Sequence, residues 1–488
     1  MKKILISVGL YFIKVALLEN NQLLDFYIEE RKNKSIVGNI YRGKVTNVLP
    51  GMQSIFVDVG MKKDVFMYVG DFQKTPDFLD NDWTLEQKNN APLIDLKKLF
   101  HVGNDIIVQI IKEPISTKGA RGIPHISIPG HFMVLMPQDK HIGISKRIDD
   151  SKERNRLKSF FSMINKQEVG IILRTAAAYR SEEELEREFL YLYHEWEKIC
   201  DNINNSKPRS LIYTEASLPL KTVRDLYNSD IEEILIDDAE EMKSINDFIT
   251  FIDPENKEKV KFFNSLKEGI SLFDKFNVSD AIDSTLKTRV NLKNRSYLII
   301  EHTEALTAID VNSGSFVGKS NLEDTVFEVN KSAALEIARH LKIRDIGGII
   351  IIDFIDMRKK ENQHEIVRIL KESFANDKAP VSIKGITDFG LVEMTRKKVK
   401  SPIIERLTDE CPHCSGTGKI KSKRDIFDKI YLSVKSKKEF DQGKVIVSPM
   451  MYEFISSNKL LKSLNAISKC RLFLKKDPGF KIEQFEIL

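Results

Sequence analysis

A chain of 488 residues amounts to about three domains by ordinary domain size, enough to bury several cores without disulfides, and this excludes a mini-protein. Its 42% hydrophobic and 30% charged residues exclude a disordered tail or a fibre, and 76 Lys and Arg against 71 Asp and Glu leave a net charge of only +5, which does not announce a nucleic-acid binder. Four cysteines are too few for a disulfide framework and point to a reducing compartment.

The opening MKKILISVGLYFIKVALLENN pairs lysines with an apolar run, as a secretion signal does. Lys14 interrupts the run, however, and no small-x-small cleavage site follows, so the pattern predicts two strands around Val8, Gly9 and Leu10. The longest apolar stretch, Gly347 to Ile355, is strand-sized and too short to span a membrane, and a cytoplasmic protein is expected. Residues 37 to 69 are rich in Val, Ile, Phe and Tyr and broken by Pro50-Gly51 and Gly60, which predicts an antiparallel meander of the kind that builds a small barrel. Residues 71 to 100 are polar and irregular and read as an exposed insertion, after which Asp105 to Ile111 returns to strand character and closes the barrel. Residues 151 to 200 are mainly helical, with Leu185, Phe189, Leu192 and Trp196 on one face and Glu182 to Glu184 in a first turn where negative charge suits the dipole. Leu211 to Asp238 alternates strand, helix, strand.

The clearest architecture lies at 296 to 357. SYLIIEH and ALTAIDV are two strands joined at Thr303-Glu304. Asn321 to Arg344 is a long helix with Leu322, Val326, Val329, Ala333, Ile337 and Leu341 along one face, ended by Asp345-Ile346-Gly347-Gly348. IIIIDFIDM follows as an apolar strand expected to be buried on both faces, so strand, crossover helix and parallel strand form a βαβ unit. Asp310 and Asp353 fall at the ends of these two strands. If the strands are neighbours, both carboxylates emerge at the edge where α/β sheets place their ligands, and such a pair suits Mg²⁺. The pattern equally allows each Asp to cap a turn or pair with a base.

Cys411 and Cys414 in CPHCSGTG are half of a zinc ribbon. Structural zinc needs four ligands, and Cys200 and Cys470 lie far away and read as buried thiols. His413 is awkwardly placed between the two cysteines, so two chains sharing one Zn²⁺ is the economical arrangement. Basic residues gather at Arg358-Lys359-Lys360, at Arg396-Lys397-Lys398 with Lys400, and at Lys419, Lys421, Lys423 and Arg424, around the aspartates and the cysteines in sequence, which favours an anionic substrate. Phe56 and Phe66 lie on predicted barrel strands, where both base stacking and core packing fit.

Taken together, NIYRGKV with GMQSIFVDVG, GIILRTAA, EALTAIDVNSG, GGIIIIDFIDM, DFGLVEMTRKK and CPHCSGTG resemble the bacterial ribonuclease E/G family, from the first strands to about residue 420. The short segment after the cysteines makes the chain look more like the G than the E branch. The resemblance implies an α/β multidomain fold: a split, non-catalytic RNase H-like domain at 1–36 and 222–286, an OB-fold RNA-binding domain at 37–124, a 5′-phosphate sensor at 125–221, a DNase I-like catalytic domain at 287–407, a zinc-link at 408–421 and a small C-terminal domain at 422–488. It further implies a Mg²⁺-dependent endoribonuclease acting on single-stranded RNA in rRNA processing or mRNA decay. Asp310 and Asp353 match the Mg²⁺ carboxylates and Asn312 their assisting asparagine. Arg174 and Thr175 match the residues that hold a 5′-monophosphate, with Val134 against the terminal base. Phe56, Phe66 and Lys118 match the positions that grip RNA, and Cys411 and Cys414 match inter-subunit Zn²⁺ ligands that build a homodimer and, as a dimer of dimers, a homotetramer. Gly122-Ile123-Pro124-His125 departs from the family pattern beside Lys118. A non-catalytic RNA-binding or assembly protein and a DNA nuclease are the competing readings.

Overall fold

The computed structural model describes residues 2–68, 70, 99–114, 118–315, 321–375, 377, 379–398, 401–414, 416–437, 443–468 and 470–488. The expected insertion therefore lies, from 71 to 98, outside the described residues. The chain divides into two compact units, Met1–Ile403 and Ile404–Leu488.

Within the first unit the N-terminal apolar runs fold as the antiparallel meander Lys2–Val8, Phe12–Glu19 and Gln22–Glu30. Lys2–Val8 also takes Ile231–Ile236 as a parallel neighbour, beyond which Val260–Phe262 lies parallel in turn. Two segments some two hundred residues apart thus share one sheet. Period-two alternation explains why: Ile4, Ile6, Val15, Leu17, Ile234 and Ile236 meet the helix Ala239–Ile252 in one core.

The chain between them builds a closed five-stranded barrel. Ile40–Leu49, Ser54–Asp58, Val65–Tyr68, Arg121–Ile123 and Asp105–Lys112 follow one another around the ring, and Asp105–Lys112 pairs back onto Ile40–Leu49. Its inside is filled by Val45, Ile55, Val57, Val65, Met67, Val108 and Ile110. The departure at Gly122 turns out to be a closing strand. A Cβ there would stand 2.2 Å from Val108 Cγ1, so only glycine lets this strand lie between its neighbours. Ser210–Tyr213, from within the expected sensor segment, adds a sixth strand to Ile40–Leu49.

A smaller four-stranded sheet places Gly170–Leu173 between Met133–Met136 and Ile142–Ile144, with Ile128–Pro129 at the edge. It packs on the helices Ser151–Ile164 and Glu182–Asn205 through Leu157, Phe161, Leu185, Phe189 and Leu192. The second helix opens with a reciprocal capping box between Ser181 and Glu184.

A second six-stranded sheet, the large open one, runs Arg289–Asn291, Tyr297–His302, Leu306–Asn312, Gly348–Asp353, Leu391–Arg396, Val381–Ile386. Leu306–Asn312 and Gly348–Asp353 are parallel and joined through the helix Leu322–Ile343, as the βαβ reading expects. Two details differ from expectation. The isoleucine run is buried on one face only: Ile350 and Ile352 are inaccessible, whereas Ile349 is 52% exposed. The helices Leu322–Ile343 and Lys360–Ser373 cover a single side of the sheet, through Val329, Ile337, Leu341, Ile366 and Leu370. Leu322 is exposed because it occupies the first turn, ahead of the covered stripe.

In the second unit Lys444–Val447 sits between parallel Phe473–Lys476 and antiparallel Phe485–Ile487. Lys423–Ser436, Pro449–Ser457 and Leu461–Ile467 supply its helical cover.

Candidate functional site

The parallel register pairs Asp310 directly with Asp353. Neighbours in one register share a face, and here it is the uncovered one: both aspartates are exposed while Ile309, Val311 and Ile352 point into the core. Asp353, although set in a run of isoleucines, is therefore solvated and needs no buried partner. Asn312, two residues on and on the same face, donates from Nδ2 to Asp310 Oδ2 at 2.7 Å. Partial burial, then the charges of Asp310 and Asp356, lift the Asp353 carboxyl above its ordinary range. Two hard oxygen donors whose charges repel are relieved by a divalent cation, so the donor set fits Mg²⁺. Among the described residues no third His, Cys, Asp or Glu joins the pair as a ligand cluster, so remaining positions would fall to water or substrate.

The loop after Asp353 is held by residues that carry no sequence motif. Asn330, fully buried on the crossover helix, donates from Nδ2 to the Ile355 carbonyl at 2.7 Å and accepts the Ile355 N–H at 3.1 Å. Glu323, in the first turn of that helix, accepts the N–H groups of Arg358 and Lys359 at 3.1 and 3.0 Å, which hold its carboxyl below the usual range. Arg358, Lys359 and Lys360 are thereby kept exposed just past the aspartates.

The other sheet-borne basic run does not flank the site. Arg396 is buried and forked on Asp377 at 2.8 and 3.1 Å, with a further bond to the Ile346 carbonyl. Because its strand is antiparallel, Arg396 pairs with Gly348, at the opposite end of the strand from Asp353. Lys397 and Lys398 follow at that far edge, and Lys400 lies outside the described residues.

In the smaller sheet Arg174 and Val134 share one face, since Val134 pairs with Ile172 and Arg174 N–H bonds the Phe132 carbonyl. The Arg174 guanidinium is held by the Gly130 carbonyl at 2.7 Å and Asp225 at 2.8 Å. Thr175 is exposed, with Oγ1 3.2 Å from Ser145 Oγ. Beneath them Glu188, 2% exposed, accepts the backbone N–H groups of His131, Phe132 and Met133. Burial outweighs those donors and pushes its carboxyl up to about 7, while burial lowers His131 to about 4.

On the barrel, Phe56 and Phe66 are directly opposite in register and half-exposed, their rings 5.7 Å apart edge to face. The alternation that buries Ile55, Val57, Val65 and Met67 turns these two outward, which removes the core-packing alternative. Lys118 is exposed, two residues before Ala120, whose carbonyl accepts the Phe66 N–H at 2.8 Å.

In the second unit, backbone N–H groups of Cys414 and His413, then the Cys414 thiol, hold the exposed Cys411 thiol below its usual range, and Gly418 N–H reaches Cys414 Sγ at 3.3 Å. Backbone N–H groups turned onto sulfur are the wrapping a thiolate metal ligand needs, so the pair fits half of a zinc site. Contrary to expectation, Cys470 is exposed and Cys200 only partly covered. Lys421 is engaged by Glu483 at 2.8 Å.

Fold and site together define a multidomain α/β protein with a two-carboxylate centre on an open sheet face and a closed barrel bearing outward aromatics. The model of the ribonuclease E/G family matches residues 127–399. Ribonuclease G of Haemophilus influenzae is 37% identical over 481 residues, 97% of this chain and 96% of that protein. Ribonuclease G of Escherichia coli (strain K12) is 33% identical over 495 residues, 100% of this chain and 99% of that protein. Ribonuclease E of Haemophilus influenzae is 32% identical over 416 residues, 85% of this chain but 43% of that protein. The chain belongs to the ribonuclease E/G family. No described helix is long and apolar enough to cross a membrane.

Proposed function

We propose that the chain is a Mg²⁺-dependent endoribonuclease that cuts single-stranded RNA, is stimulated by a 5′-monophosphate, and leaves 5′-phosphate and 3′-hydroxyl ends. The endoribonuclease class follows from the family. The observation that carries the finer reading is the direct register of Asp310 with Asp353 on an open face. Asp310 and Asp353 would hold Mg²⁺, which when bound supplies the charge that activates water and neutralises the phosphate during in-line displacement. Asn312 fixes the rotamer of Asp310 through its amide, so the carboxylate is oriented before substrate arrives. Phe56, Phe66 and Lys118 grip the strand on the barrel by stacking and charge. Arg174 and Thr175 receive a 5′-monophosphate, with Val134 against the terminal base.

The same reading makes the split sheet an RNase H-like domain, the barrel an OB fold, the small sheet the sensor, the large sheet a DNase I-like catalytic domain, and the cysteines a zinc-link ahead of the small C-terminal domain. Cys411 and Cys414 of two chains would share one Zn²⁺ in a homodimer, with the homotetramer a dimer of dimers. The setting is cytoplasmic RNA metabolism, in rRNA maturation or mRNA decay. The test is cleavage of a short 5′-monophosphorylated single-stranded RNA with and without Mg²⁺, by wild type and by Asp310→Asn with Asp353→Asn. Metal-dependent cutting lost in the double variant is expected. Undiminished cutting by the variant would overturn the assignment, and cutting of matched DNA at the same rate would favour a general nuclease.

A further inference from the structure

The uncovered face of the large sheet carries chemistry on both flanks of the carboxylates. Directly opposite residues run in a row across five strands: Arg289, Ile299, Asp310, Asp353, Leu391. Strands lie about 4.8 Å apart, so the Arg289 end of the row stands roughly 10 Å from Asp310 and the Leu391 end roughly 5 Å from Asp353. At one end the Arg289 guanidinium lies over the Tyr297 ring, Cζ 3.7 Å from its centroid. Tyr297 is in turn directly opposite Asn312, the residue bonded to Asp310. Arg289 is exposed, and its one hydrogen bond among the described residues runs from Nε to Asn291 Oδ1 at 3.1 Å. Stacking thus fixes the plane of the guanidinium, and its terminal N–H groups make no hydrogen bond among the described residues, which leaves a fork suited to phosphate.

At the other end, the turn before Leu391 presents Phe389, 90% exposed. The turn is rigid: Thr387 N–H bonds the Leu391 carbonyl and Gly390 N–H bonds the Thr387 carbonyl, both at 2.9 Å. Gly390 has φ +81°, and a Cβ there would stand 3.5 Å from Asp356 Oδ1, so the turn abuts the acidic end of the site. Phe389 thus presents an open aromatic face beside the acidic end of the site, a surface suited to stacking a base.

We infer that the substrate strand crosses this edge of the sheet between two contacts outside the barrel: Arg289, braced by Tyr297, takes a backbone phosphate, and Phe389 stacks a base on the opposite side of Asp310 and Asp353. The chemistry is that of single-stranded nucleic acid, one phosphate contact and one base contact, and it rests on reading the two aspartates as the cleavage centre. Glu301 and Glu393 occupy the next row on the same face but away from the edge, so they repel the backbone from the sheet's far half and keep it at the carboxylates.

The experiment is binding of a short fluorescent single-stranded RNA to the full chain in EDTA, across a salt series, beside cleavage in Mg²⁺. Arg289→Gln is expected to weaken binding roughly tenfold and to flatten the slope of log affinity against log salt by about 0.7, the share of one phosphate on a single strand. Arg289→Lys should restore the slope, because a point charge suffices for that term. Phe389→Ala should also weaken binding roughly tenfold, the scale of one lost base stack, but leave the slope unchanged. An RNA with an abasic residue at the stacked position should erase the difference between Phe389→Ala and wild type. Wild-type affinity and slope in both Arg289→Gln and Phe389→Ala would overturn the path. Failure of the wild type to cleave would instead remove the underlying reading, so the two failures are separable.

Discussion

Asn330 and Ile355 exchange both of their hydrogen-bonding groups: the side-chain amide donates to the backbone carbonyl and accepts the backbone N–H of the same residue, 25 positions away. This clamp ties the crossover helix to the loop that leaves Asp353. Asn330→Leu is expected to cost about 1–3 kcal/mol by leaving a buried peptide group unsatisfied. It should also slow cleavage well below the melting temperature, because the loop carrying Asp356 and Arg358 loses its anchor. Thermal unfolding paired with cleavage rates tests this; unaltered cleavage in a destabilised variant would make the clamp purely structural.

Asp353→Asn should lower cleavage by more than about 10²-fold, the scale of losing a group that stabilises developing charge. RNA affinity in EDTA should stay within about twofold of wild type. Mg²⁺ should raise the melting temperature of the wild type and not that of the variant. A Mg²⁺-induced shift that survives in Asp353→Asn would place the cation elsewhere.

Glu188 and His131 are bonded to each other's neighbourhood yet push stability in opposite directions with pH. Glu188, raised from 4.5 to about 7, contributes most below pH 4.5 and loses that contribution as pH rises through 7. His131, lowered from 6.5 to about 4, contributes above pH 6.5 and loses its contribution as pH falls towards 4. In Glu188→Gln the first trend should vanish, so the gap in melting temperature between wild type and variant should shrink from pH 5 to pH 8. A constant gap would show that Glu188 does not titrate in this range.

Arg174→Gln should abolish any preference for 5′-monophosphorylated over 5′-hydroxyl RNA while leaving the 5′-hydroxyl rate unchanged. The readout is the ratio of kcat/KM on the matched substrates. A ratio that persists would detach Arg174 from 5′-end recognition.

Elemental analysis should find one zinc per two chains, absent from Cys411→Ser, and chelation should convert dimer to monomer in sedimentation. One zinc per chain would require ligands other than the two cysteines.

Much of the candidate site was legible because its signal is local. Two strand-terminal aspartates around a capped crossover helix leave few other ways to pair the strands, and the register that sets Asp310 against Asp353 follows. The isoleucine run misled because composition reports how apolar a strand is, not how many of its faces are covered; Ile349 and Ile351 look outward on a sheet with helices on one side. Arg396 misled for a related reason. Proximity in sequence does not reveal strand direction, and an antiparallel neighbour carries a basic run away from the carboxylates. Asn330, Glu323 and Glu188 had no readable signal, since each serves backbone groups of a distant loop and such duties impose no periodicity.

The first strand, Lys2–Val8, becomes central to its sheet only when Ile231–Ile236 arrives on its open side. On a ribosome that partner emerges more than two hundred residues later, after the barrel and the small sheet have been synthesised. The N-terminal meander must therefore wait with an unpaired edge while the intervening domains condense first, and completion of its sheet then draws their two ends together. The topology predicts assembly from the inserted middle outward, and a side chain at Gly122, by slowing barrel closure, should show first as aggregation during synthesis or refolding.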